Sequence, residues 1–83
     1  MVAEHIPPAV EAILLVAEDP LPPELLAQLV GTSPDEVEEV CSALSHQYEV
    51  EGRGFVLARV AGGYRYQTAT EQAPYVERFV LEG

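Results

Sequence analysis

The chain has 83 residues, enough for one small domain built around one core. Hydrophobic residues make up 48% of it, which excludes a disordered chain. Fourteen acids stand against four arginines and no lysine, a net charge of −10 that repels both the phosphate backbone of nucleic acid and anionic membrane surfaces.

The start, Met1-Val2-Ala3-Glu4-His5, lacks the basic opening of a signal peptide. Residues 1–7 show little pattern and are expected to be a flexible end, with the domain proper over residues 8–83. Pro7-Pro8 opens a helix that runs to about Glu18 and is stopped by Pro20. Its apolar run Ala12–Ala17 is far too short to span a bilayer. Leu21, between two proline signals, is expected to form a one-residue bridge to the sheet. A second helix covers Pro22–Val30, with Leu25, Leu26, Leu29 and Val30 as its core stripe. Gly31 provides a left-handed helix end. Ser33, Pro34 and Glu36 then make an N-cap, a first helical residue and a capping box for a third helix to Glu49. That helix carries Val37, Val40, Cys41, Leu44 and Tyr48 as one apolar stripe. Val50–Gly54 reads as a turn. Phe55–Ala61 and Tyr64–Thr68 read as strands around a Gly62-Gly63 loop. In that hairpin Phe55, Leu57, Arg59, Tyr64, Tyr66 and Thr68 share a face. The apolar members place it inward and leave Arg59 awkward, unless a bulge or a longer loop swaps the faces. A last helix, capped by Thr70, runs from about Glu71 to Leu81.

Two helices joined by so tight a turn form a helix-turn-helix. With a first helix before it and a hairpin wing and a C-terminal helix after it, the class is α+β, mostly α: a winged helix. A DNA reader of this kind should present Arg, Lys, Asn or Gln from its second motif helix. This one presents Asp35, Glu36, Glu38, Glu39 and Glu49 and no cation. Three of the four arginines, Arg53, Arg59 and Arg65, lie on or beside the wing. They keep a DNA-binding transcriptional regulator as the alternative, although without a basic helix they are better used in pairs with acids. Specific nucleic-acid binding is therefore not expected.

Nothing in the chain assembles a catalytic or metal centre. Cys41 and His46 are five residues apart on one helix, about 140° around its axis, and cannot act as nucleophile and base. Cys41 falls on the core stripe, where a thiol is structural. Neither His5 nor His46 has ligands at metal spacing. Glu38 and Glu39 point to different azimuths, and Gly52-Arg53-Gly54 precedes a strand, so it is a turn and no phosphate loop. No cofactor is expected. A lone cysteine excludes an internal disulfide and fits a reducing compartment.

The opening run Ala12-Ile13-Leu14-Leu15-Val16-Ala17-Glu18-Asp19-Pro20-Leu21, the wing Val60-Ala61-Gly62-Gly63-Tyr64-Arg65-Tyr66-Gln67-Thr68 and the later Ala73-Pro74-Tyr75-Val76-Glu77-Arg78 resemble the N-terminal domain of the segregation and condensation protein B (ScpB) family. The Ala-Gly-Gly-Tyr-Arg wing is the most specific part. The resemblance implies a non-enzymatic subunit of the bacterial condensin-like complex, acting in chromosome condensation and segregation during cell division. It implies a homodimer that binds the kleisin ScpA and, through it, the SMC ATPase. It also implies a cytoplasmic location, associated with the nucleoid through the complex. Family members usually carry two winged helices in tandem. The first alone is expected here, and the kleisin contact is expected mainly on the second.

The first helix adds an independent signal. Val10, Ile13, Leu14 and Ala17 make one apolar stripe; Ala12, Leu15 and Val16 make another on the opposite side. A helix of a small monomer needs one stripe. Either the hairpin or last helix covers the second, or a partner does. The reading adopted is a dimer interface at Ala12, Leu15 and Val16.

Overall fold

The computed structural model describes residues 2–83, as four helices and one hairpin in the order α1 (Ile6–Val16), α2 (Pro23–Val30), α3 (Pro34–Glu51), β1 (Phe55–Val60), β2 (Gly63–Thr68) and α4 (Ala73–Glu82). A single 3₁₀ turn, Thr70–Gln72, joins β2 to α4. This is the winged helix-turn-helix that the sequence pattern predicts.

α1 starts at Ile6, ahead of the proline pair. Pro7 disfavours helical backbone in the residue before it. Burial of Ile6 to 1% exposure overrides that preference. Ile6 thus joins the core with Val10 and Leu14.

The turn between α2 and α3 is built as its residues dictate. Gly31 adopts φ 78° and its N–H, with that of Thr32, bonds the Ala27 carbonyl. Ser33 Oγ accepts the Glu36 N–H at 3.2 Å. The Glu36 carboxylate accepts from the Thr32 hydroxyl. All five stripe residues of α3 are buried. The helix runs on to Glu51, through half of the expected turn, and ends at left-handed Gly52.

α2 corrects one expectation. Its buried positions are Pro23, Leu26, Ala27 and Val30, whereas Leu25 and Leu29 are 38% and 57% exposed. Eight residues of helix carry more apolar side chains than one inward arc can hold. The arc at i, i+3, i+4 and i+7 faces α3 and takes the small Ala27 in place of the two leucines.

The wing corrects another. The two loop residues are Ala61 and Gly62, at φ 51° and 76°, the signature of a type I′ turn. Val60 pairs with Gly63, Arg59 with Tyr64 and Leu57 with Tyr66. The shift from the expected register is two residues, an even number, so the facing set survives and no bulge intervenes. Leu57 and Tyr64 enter the core. Gly63 is a strand residue, and a Cβ there would lie 2.8 Å from the Leu21 backbone. That close approach permits the expected bridge: Leu21 and Tyr64 exchange both backbone bonds, at 2.9 and 2.8 Å.

Thr70 begins the 3₁₀ turn and does not cap α4, whose N-cap is Gln72. No residue of α4 is buried. The molecule measures 43 × 25 × 20 Å, with a radius of gyration of 13.8 Å. A compact chain of this length would have about 12 Å. α4 extends from the body instead of packing on it.

Candidate functional site

An ion pair links the wing to α3, the helix that would read DNA in a DNA-binding winged helix. Arg59, the awkward residue on the inward face, reaches from β1 to α3. Its guanidinium donates to both Glu38 oxygens, at 2.6 and 2.8 Å, and lies 5.2 Å from the centre of the Tyr64 ring. The Tyr64 hydroxyl donates to the same carboxylate. The Tyr64 bond first, then Arg59, holds the Glu38 carboxyl below its ordinary range. Arg53 pairs with Glu51 at 3.1 Å, and Arg65 is exposed on the outer face of the wing. Of the wing residues, Arg59, Gly62 and Gly63 serve the fold. Arg59 ties wing to helix, Gly62 makes the turn, and Gly63 admits Leu21.

Cys41 and His46 both border a shallow hollow between α3 and the wing. Burial, and then the Glu38 charge, push the Cys41 thiol up to about 11, which keeps it protonated and unreactive at neutral pH. Among the described residues, no group of His, Cys, Asp and Glu could hold a metal ion. None of their helices is long and apolar enough to cross a membrane.

The other side of the molecule is apolar. α1 turns Ile6, Val10 and Leu14 inward and leaves Ala12, Leu15 and Val16 outward, with Leu15 and Val16 at 77% and 78% exposure. Neither the hairpin nor α4 covers this second stripe. Instead Ala12, Leu15, Phe55 and Tyr66, with Glu11 at the edge, line an open hollow of about 490 Å³.

Its floor is rigid. Tyr48 and Phe55 lie with ring centres 4.9 Å apart, and Phe55 meets Tyr66 edge-on at 5.4 Å. The Tyr48 hydroxyl donates to Glu11 at 2.5 Å and lies 2.9 Å from the Tyr66 hydroxyl. Burial, then the bond to Glu11, raises the Tyr48 pKa well above its ordinary value. Sequence reasoning missed this link between α1 and α3. The available signal was a tyrosine on an apolar stripe, whose hydroxyl must find a partner when buried.

α4 adds a second bare apolar surface, also unforeseen. Tyr75, Phe79, Val80 and Leu81 are 69–85% exposed. From sequence, such a helix looks like one more core element.

Fold and surface together define a winged-helix domain with an acidic third helix tied to the wing by Glu38 and Arg59, and an uncovered apolar face. A family model described as segregation and condensation complex subunit ScpB matches residues 8–83, and the chain belongs to that family. It is 36% identical over 75 residues to the segregation and condensation protein B of Moorella thermoacetica, covering 90% of this chain and 38% of that protein. The crystal structure of ScpB from Mycobacterium tuberculosis superposes with a TM-score of 0.93 at 26% identity, over 100% of this chain and 52% of that one. A dimer of an ScpB N-terminal domain, solved with an ScpA peptide, matches at TM-score 0.85 and 28% identity, over 92% of this chain and 95% of that one. The chain spans little more than a third of the length of the curated relatives it matches.

Proposed function

We propose that this domain is a non-enzymatic dimerisation and protein-interaction module of a bacterial SMC condensin-like complex, acting in chromosome condensation and segregation. It pairs with a second copy through Ala12, Leu15 and Val16 and takes part in assembly with the kleisin ScpA, and through it with the SMC ATPase. Its place is the cytoplasm, at the nucleoid. Membership of the ScpB family and the ScpA-bound dimer of a similar domain support this reading.

The observation that carries it is the second stripe of α1, where Leu15 is 77% exposed on a helix whose opposite face is fully buried. The mechanism is burial of apolar surface, without bond chemistry. Association must overcome repulsion between two chains of −10 each, so it belongs on the face that carries least charge.

Sedimentation equilibrium tests the proposal. The parent chain should be a dimer, and Leu15→Glu, which desolvates two like charges in a self-complementary contact, a monomer with unchanged helical circular dichroism. The dimer should copurify with ScpA. A parent chain that stays monomeric at high concentration overturns the reading.

A further inference from the structure

We propose that the two copies exchange their last helices, α4 of each lying in the α1–hairpin hollow of the other. This rests on the dimer proposed above and specifies how it is made.

The first reason is that α4 needs cover. An isolated helix of ten residues is marginal in water. Tyr75, Phe79, Val76 and Val80 fall within an arc of about 140° at the helical period. Glu77, Arg78 and Glu82 lie outside that arc. Of the four apolar residues only Val76 is even half-buried within its own chain.

The second reason is that the molecule holds both halves of one fit. The hollow is lined by Ala12, Leu15, Phe55 and Tyr66, of which Leu15 is 77% exposed, while Tyr66 is half-buried. A surface that carries a ridge and a matching groove is self-complementary, and a two-fold axis closes it without leaving either exposed. The halves are also contiguous. Thr68, at the root of α4, pairs with Phe55, which lines the hollow.

The area suffices. Tyr75 and Phe79 offer roughly 150 Å² each on the scale of buried aromatic side chains. Leu15, Val16 and Val80 add about 80 Å² each at the usual transfer energy per area. The sum, roughly 540 Å² per partner, clears the ~1,000 Å² of total buried surface that a biological interface needs. Glu11 is the one charged residue at the hollow, and Arg78, the one cation of α4, lies outside the apolar arc and pairs with Glu82 at 3.1 Å.

Cross-linking decides it. Ala12→Cys and Phe79→Cys are made separately, each at an exposed site that leaves the core intact, and the two variants are mixed under mild oxidation. A disulfide needs Cα atoms within about 7 Å, so exchange predicts an Ala12→Cys–Phe79→Cys heterodimer about tenfold above either homodimer. Cys41 is buried in both variants, and the parent chain serves as control. Preferential Ala12→Cys homodimers, or Phe79→Cys homodimers, overturn the exchange and leave a dimer made by α1 or by paired α4 helices. A monomer in sedimentation removes the dimer itself, and the exchange with it.

Discussion

α3 and α4 each carry apolar side chains at helical spacing, and their fates are opposite. The stripe of α3, Val37 to Tyr48, is buried, while Tyr75, Phe79 and Val80 of α4 are 69–75% exposed. Periodicity says that a helix has an apolar face; it does not say what covers that face. α3 sits mid-chain, with α1, α2 and the hairpin all folding back over it. α4 follows the last strand, and its main neighbour is its own 3₁₀ turn. One helix therefore builds the core, and the other leaves its apolar face exposed.

The largest expected effect separates the two helices directly. Leu44→Ala should cost about 2–5 kcal/mol through lost transfer energy and the cavity left behind. The same truncation at Phe79 should change the stability of the isolated monomer by no more than about 0.5 kcal/mol, as at other surface sites. Urea titrations at dilute protein compare them, and equal midpoints for the two variants would erase the distinction.

A smaller loss is expected where the wing meets the body. Gly63→Ala puts a methyl group 2.8 Å from the Leu21 backbone, with main chain and no flexible side chain in the way. The cost should be about 1–3 kcal/mol, the range for overpacking. Gly54→Ala, where the nearest atom is a Gln72 side-chain carbon at 3.9 Å, is the control. Equal thermal midpoints would show that the bridge yields.

The mildest perturbation is alkaline pH, and it acts on the α3 side of the comparison. Cys41 is raised to about 11 and Tyr64 to about 12, and Tyr48 is raised further, in each case first by burial. The folded chain therefore keeps protons that the unfolded chain has already released. The stability these groups contribute is complete below their unfolded values and falls as pH rises toward the folded ones. The thermal midpoint should be level up to roughly pH 8.5 and decline from there to pH 11, since unfolded thiols titrate near 8.5 and phenols near 10. A level midpoint across that range would contradict the burial of these groups.

Much of the fold was legible because it is local. Gly31, Ser33, Pro34 and the α3 stripe act within a few residues of one another, and each does in the structure what its chemistry requires. The inward face of the wing was legible too, since a two-residue error in register leaves the alternation unchanged. The misses were long-range. Whether Leu25 or Ala27 of α2 turned inward depended on which arc of α2 met α3, and Ile6 entered the helix against the local effect of Pro7. Arg59 looked misplaced until Glu38, 21 residues away, met it.

The sequence by itself determined the element order, the helix-turn-helix and its caps, the absence of a basic reading helix and the family. These follow from side-chain period, turn chemistry and charge, which are properties of short stretches. Only the tertiary structure decided which apolar faces stayed bare. The second stripe of α1 is visible in the sequence, but whether the hairpin or the last helix covers it is not, and the bareness of α4 does not show there at all, because burial belongs to the pair of surfaces that meet and cannot be read from either one alone.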